Sequence, residues 1–311
     1  MNRVAGAALA AACMLAACSS SEAVGTPTTV LPATTAPPST TAAATSTSSS
    51  TSTSSSTTSS TTVATAAPTT APTTAPTTAP VTTAPGFTQA SADFLGQETI
   101  GFSVQGRPIV ASHRGTPGGT VILIVGVIHG NENAGLAILE HLRTMPVPTG
   151  IDLWLMDAMN PDGVANDVRG NGNEVDLNRN FPHDWTAIGQ VGEWEYSGTG
   201  PASEPETQAF IAFTQRIQPT LTLWYHQDLY RISPSNRSDG PLRLRYAELT
   251  GLPYETVSGG TYTGVAATWV RTSVAEAMSF IVELGPTLSG GEAAVHAGAV
   301  LEISLMAKAL A

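Results

Sequence analysis

Cysteine is almost absent from this chain of 311 residues: only Cys13 and Cys18 occur, both near its start. A chain with so few thiols builds no disulfide framework, so its stability has to come from a hydrophobic core. Lysine is scarcer still, with Lys308 the only one, and charged residues make up 12% of the chain with a formal net charge of -11. No basic patch is present, and no nucleic-acid partner is expected. Beyond the first residues no apolar run reads as long enough to cross a membrane.

What the chain has falls into three unlike parts. Residues 1–18, MNRVAGAALAAACMLAAC, carry one basic residue, Arg3, then a short apolar core and small residues up to Cys18. That is the pattern of a secretory signal. Leu15-Ala16-Ala17-Cys18 resembles a bacterial lipobox, which implies that Cys18 is lipidated and ties the mature chain to a membrane. An ordinary secreted protein cut at a small-residue site is the alternative. Residues 19–86 are almost wholly Ser, Thr, Ala, Pro and Val and end in the repeat TTAPTTAPTTAPVTTAP. Such a stretch buries no core and favours extended, proline-rich conformations, so it reads as a disordered stalk. Fully extended at ~3.1 Å per residue, it would reach on the order of 200 Å.

Residues 87–311 read as one globular domain. Val121 to Ile128 is a continuous apolar run rich in β-branched residues, which predicts a strand covered on both faces. Apolar residues at helical spacing follow from Asn133 to Met145, before Pro146. Ile151–Met156, Leu221–Tyr225 and Ser279–Leu284 predict further strands, NPDG at 160–163 a turn, and 293–311 a closing helix. Ser203-Glu204-Pro205-Glu206 has capping-box spacing, so Glu204 and Glu206 are expected to serve a helix start. Strands alternating with helices predict an α/β fold of three layers, α/β/α, around a mixed, mostly parallel sheet. Functional groups in such sheets gather beyond the carboxyl ends of the strands. His129, His226 and Glu283 all fall near such ends.

A catalytic zinc takes three ligands from His, Glu and Asp and leaves a fourth position open. His129 and Glu132 are three residues apart across a turn, and His226 follows the strand TLTLWY. Taken alone, that triplet is weak, because HxxE is frequent and a histidine at a strand end is often a satisfied core residue. Its surroundings are more specific. In order the domain presents HGNE (129–132), NPDG (160–163), Arg169, VDLNRNFP (175–182), YSG with SEPET (196–207), WYHQ (224–227) and FIVELG (280–285).

This series resembles the zinc carboxypeptidase superfamily across essentially the whole domain. No propeptide domain is read before residue 87, which points to its compact bacterial branch, whose members cut peptidoglycan stem peptides. The resemblance implies one Zn2+ held by His129, Glu132 and His226, with Glu283 as the general base and acid. A carboxylate in the apolar strand FIVEL beside a metal site is physically suited to moving that proton. It further implies that Arg169 stabilises an oxyanion, that Asn178 and Arg179 hold the substrate's terminal carboxylate, and that Tyr262 contacts substrate. Tyr262 is the nearest match to the family's mobile tyrosine, at a spacing that departs from the pattern. Near Ala267 and Thr268 the sequence offers no obvious charge for a specificity pocket. Arg231, Arg237, Arg243 and Arg245 read mainly as a solvated loop, or else as partners for a second carboxylate such as that of diaminopimelate.

The expectation is therefore a secreted, membrane-anchored zinc metallopeptidase, monomeric, whose partner is a peptide or muropeptide substrate. A general carboxypeptidase releasing C-terminal L-amino acids would carry the same residues. A non-catalytic wall-binding module would have lost a ligand or the base, and neither loss is visible.

Overall fold

β-Branched and aliphatic residues in unbroken runs form the strands at the centre of the molecule. The computed structural model describes residues 93–257, 259–260 and 262–311; the leader, Cys18 and the stalk lie outside the described residues. The strands are β1 (Phe94–Phe102), β2 (Pro108–Gly115), β3 (Thr120–Val127), β4 (Ile151–Ala158), β5 (Leu221–Gln227) and β6 (Met278–Leu284). The helices are α1 (Gly135–Thr144), α2 (Pro161–Asn166), α3 (Pro205–Ile217), α4 (Gly240–Thr250), α5 (Ala266–Ser273) and α6 (Gly290–Leu310). The sheet runs β1-β2-β4-β3-β5-β6. β1–β2 and β2–β4 are antiparallel; β4–β3, β3–β5 and β5–β6 are parallel, giving the mixed, mostly parallel sheet that was expected.

Alternation along β3 shows the three layers. Ile122 and Ile124 join the core under α1, α4 and α6, while Leu123 and Val125 join the core under α3 and α5. Both faces are dry, and each fully buried aliphatic side chain contributes about 1.5–3 kcal/mol. Trp224 on β5 is completely buried, packs on Phe210 and Phe181, and donates its indole N–H to Ser279 Oγ at 3.1 Å.

Five sequence readings change. β1 and β2 were not anticipated; their half-exposed residues lack the apolar run that marks a buried strand. NPDG starts helix α2 rather than forming a turn: Asn160 caps it by accepting from Gly163 N–H, and Pro161 occupies its first turn. No capping box forms at Ser203; α3 begins after Glu204, which makes no side-chain cap bond, while Ser203 Oγ donates to the Glu204 carboxylate and meets the Asn180 amide. The capping box sits instead at Ser289 and Glu292, where α6 starts three residues earlier than the apolar pattern predicts. α6 also corrects the reading that no later stretch could span a membrane. Its length and hydropathy suffice for that, but Ala293, Ala297, Val300, Ile303 and Ala307 are buried and the helix packs against α1 and α4. Its apolar composition therefore has a core to serve.

β3 is where the sheet order reverses, with β4 on one side and β5 on the other. At such a switch point the segments leaving the carboxyl ends diverge and open a crevice.

Candidate metal centre and substrate cavity

β3 runs into Ile128 and His129, and Glu132 N–H donates to the His129 carbonyl at 3.0 Å, turning the chain back over the sheet. A Cβ at Gly130 would sit 1.9 Å from the carbonyl carbon of Gly163 on α2, so this turn presses its backbone directly on that helix. Only glycine permits that approach. His226 comes from β5, and Glu283 is its register partner on β6.

Ligand atoms of His129, Glu132 and His226 lie within 4.8 Å of one another, and all three residues are buried. Glu132 Oε1 faces His129 Nδ1 at 2.9 Å and Oε2 faces His226 Nδ1 at 3.0 Å. Oε2 also accepts from Gln227 N–H at 3.1 Å. His129 Nε2 contacts Asp176 Oδ1 at 2.9 Å, which orients the ring and turns Nδ1 toward the other two residues. His226 Nε2 is buried with no hydrogen-bond partner. Two imidazoles and a carboxylate converging in a buried site fit a zinc ion.

The charges are strongly coupled. Burial alone would lower the His129 pKa, but Asp176 and Glu132 more than offset it and the pKa is raised. For Glu132 burial works upward, yet hydrogen bonds from His129 and His226 hold the carboxyl far below its usual range. Asp176 is likewise held low, against its burial, by His129, Arg169 and Arg179. Glu283 shows the opposite result. Burial raises its pKa, with Glu132 adding to the effect and His226 opposing it.

Arg169 donates from Nε and Nη2 to Asp176 Oδ2 at 3.0 and 2.7 Å and from Nη1 to Glu132 Oε1 at 2.8 Å. Trp194 lies over its guanidinium, 4.8 Å from ring centroid to Cζ. A short helical turn, Leu177–Arg179, presents Asn178 and Arg179, and Asp176 caps it by accepting from Asn178 N–H. Asn178 Oδ1 accepts from Ala266 N–H, while Arg179 pairs with Glu195. Tyr262 lines the same cavity, 63% exposed. The cavity, about 550 Å³, thus brings together eight of the residues singled out from the sequence: His129, Glu132, Arg169, Asn178, Arg179, His226, Tyr262 and Glu283.

Several residues in and around it were missed or misjudged. Asp176 stands inside VDLNRNFP, but nothing in a sequence says that its two oxygens reach a histidine and an arginine. Trp194 and Glu195 come from a loop without periodic pattern. The pocket beside Ala267 and Thr268 is not free of charge: Arg243 and Arg271 line it. Of the four arginines after His226, Arg243 is buried in the cavity wall, whereas Arg245 lies on the surface with Glu248 and Glu302. Asp162, Glu204 and Glu206 are buried and do more than shape turns and helix ends. Asp162 accepts from Ser103, Gln105 and Arg107; Glu206 accepts from Val104 and Asn171; and Glu204 accepts from Asn171 and Asn173. They tie the β1–β2 connection and the loop at 171–173 to the body of the domain.

Comparison with known proteins agrees with this geometry. The zinc carboxypeptidase family model matches residues 86–229. Murein peptide amidase A of Escherichia coli (strain K12) is 32% identical over 186 residues, covering 56% of this chain and 76% of that protein. The protein of the same name from Vibrio campbellii is 29% identical over 164 residues, covering 49% and 66%. Among solved structures, murein-tripeptide amidase from Escherichia coli O157 superposes with a TM-score of 0.57 at 28% identity, covering 69% of this chain and 94% of the other. Carboxypeptidase A from Helicoverpa armigera shares the fold, with a TM-score of 0.61 at 18% identity over 70% and 69% of the two chains.

Proposed function

The chain belongs to the zinc carboxypeptidase family and is a zinc-dependent hydrolase, and we propose that it cleaves peptide bonds in peptidoglycan stem peptides from an anchored position outside the cell membrane. The observation that carries the reading is the buried His129–Glu132–His226 cluster opening into the same cavity as Glu283 and Arg179. Relatives named as murein peptide amidases support the substrate class. The signal-like leader, Cys18 and the stalk-like composition support the location.

Zinc, when bound, supplies Lewis-acid polarisation of the scissile carbonyl and makes water a nucleophile at neutral pH. Every other task falls to side chains. Glu283 takes the proton of the attacking water and delivers it to the leaving amine; its raised pKa suits both transfers. Arg169, oriented by Asp176, offers N–H groups to the charge that develops on the carbonyl oxygen. Arg179 and Asn178 grip the carboxylate of the leaving residue. With Asn178 Oδ1 already held by Ala266, its amide nitrogen is the donor available for that contact. Arg179 exchanges Glu195 for the incoming anion.

The test is a digest by the zinc-loaded full chain of defined muropeptides and of ordinary L-peptides, read by mass spectrometry. Release of diaminopimelate-containing fragments is the expected result. Release of C-terminal L-amino acids with intact muropeptides would make the protein a general carboxypeptidase instead.

A further inference from the structure

Gln227 closes β5 directly after His226, and the two ends of its side-chain amide serve different segments of the chain. Oε1 accepts from Ala134 N–H at 2.8 Å, while Nε2 donates to the carbonyls of Gly285 and Pro286, both at 3.2 Å. Only this orientation of the amide serves all three partners. The reverse would set its NH2 against an N–H and its oxygen against two carbonyls.

Each of these segments follows closely on a residue of the site. Ala134 opens α1 just after the ligand Glu132, and that helix starts without a side-chain cap and without an acid in its first turn. Gly135 rests on the sheet: a Cβ there would stand 2.4 Å from the Gly126 carbonyl oxygen and 2.8 Å from Tyr225 Cβ. Such packing sets the height of the helix, whereas a hydrogen bond, being directional, fixes its place along β5. At the other segment, the Glu283 main chain exchanges both hydrogen bonds with Arg231 at 3.0 and 3.1 Å, and Tyr230 N–H donates to the Leu284 carbonyl at 3.2 Å. β6 ends at Leu284, and the next two carbonyls turn to Gln227. The Gln227 main chain meanwhile donates to Glu132 Oε2 at 3.1 Å. A side chain pinned at both ends therefore also steadies the N–H that orients a metal ligand.

We propose that Gln227 is a positioning residue, whose side chain locks the ligand-bearing turn to the exit of β6 and so sets the separation between the metal site and Glu283. The inference rests on the peptidase reading above, which makes Glu283 the base. β5 lies between β3, which leads into the ligands, and β6, which carries the base, so its carboxyl end is the place from which both can be held. Reacting groups must meet within about 3–3.5 Å, and a misplacement of ~1 Å can cost about 100-fold in rate.

The experiment compares the full chain with Gln227→Met, which keeps the length but has no amide, and with Gln227→Glu. The glutamate keeps an acceptor for Ala134 and loses the donor for Gly285 and Pro286. Zinc Kd is read by chelator competition, kcat and KM at saturating zinc on the peptide that the wild type cleaves, and Tm by thermal unfolding. Gln227→Met should bind zinc about tenfold more weakly, the low end of what outer partners of a ligand contribute. Its kcat should fall by about tenfold or more with KM within about twofold, since Arg179 and Asn178 are untouched. Gln227→Glu should hold zinc no more weakly than wild type, because its added charge favours the cation, yet lose kcat by about tenfold. A clip that serves stability alone would lower Tm in both variants and leave zinc Kd and kcat within twofold of wild type, which would overturn the assignment. So would wild-type kcat in Gln227→Glu, the variant that also decides the matter if Gln227→Met does not fold. If the zinc-loaded wild type cleaves no peptide, the peptidase reading fails, and the hold on the ligand turn is judged on metal alone. Weaker zinc in Gln227→Met but not in Gln227→Glu would uphold it, and wild-type affinity in both would refute it.

Discussion

Asp176→Asn tests how the metal site is held. In the native chain Oδ1 accepts from Asn178 N–H and faces His129 Nε2, while Oδ2 takes two N–H groups from Arg169. An asparagine amide can satisfy only one of the two partners at a time. With its oxygen toward His129, its NH2 meets the Arg169 donors; turned the other way, it offers His129 a donor in place of an acceptor. The carboxylate's charge, which steadies both cations, is lost in either orientation. Outer partners of a metal-bound histidine typically contribute 10–100-fold to metal affinity, so the zinc Kd should rise by about that factor, or ~1.4–2.8 kcal/mol. Competition against a chelator of known affinity, at fixed pH, measures the shift. Because Arg169 loses its anchor too, kcat should fall further than zinc occupancy explains when the variant is assayed at saturating metal. A zinc Kd within twofold of wild type would refute the view that Asp176 orients His129.

Four further outcomes follow from the same structure. Glu283→Gln should bind zinc almost as well as wild type yet lose nearly all turnover, and unchanged turnover would show that another group moves the proton. Glu283 must be ionised to accept that proton, and burial raises its pKa above the usual 4.5; the wild-type rate should therefore fall as pH drops through a midpoint above that value, and a midpoint below it would contradict the buried-base assignment. Arg179→Ala should weaken peptides with a free terminal carboxylate by about tenfold or more relative to amidated ones, and equal losses on both would deny it the gripping role. Trp224→Ala should lower stability by about 3–5 kcal/mol in chemical denaturation, since it empties a fully enclosed site between Phe210 and Phe181; a cost below ~1 kcal/mol would mean that the β5 core repacks freely.

Legibility in the sequence tracked how local each feature is. β3 was visible because a strand covered on both faces is apolar throughout, and two of the ligands, His129 and Glu132, follow directly after its end. The half-exposed β1 and β2 carry no such mark. His129, Glu132, His226 and Glu283 could be named from short motifs, since each motif ends a strand and the ends of parallel strands meet. Asp176, Glu195 and Arg271 could not. Their meaning depends on partners 47, 16 and 8 residues away in the chain, and on which side of a loop or helix each faces. Helix starts misled for a similar reason. The serine at 203 has the right spacing for a cap, but a buried network around Asn180 and Glu204 engages its hydroxyl first.

Mechanically, the contact between Gly130 and Gly163 is a rivet rather than a hinge. Neither backbone has room to slide, because a Cβ at 163 would also collide with the Asn160 amide nitrogen at 2.4 Å. The loop bearing two of the three ligands thus meets a neighbouring helix main chain to main chain, a contact that no side-chain rotation alters. Changing one partner cannot be compensated at the other, which already has nothing left to remove. In a saturation library both positions should therefore remain glycine, 130 because the Gly163 main chain abuts it and 163 because the Asn160 amide and the Gly170 carbonyl do, a constraint invisible to any scan that ranks residues by the chemistry of their side chains.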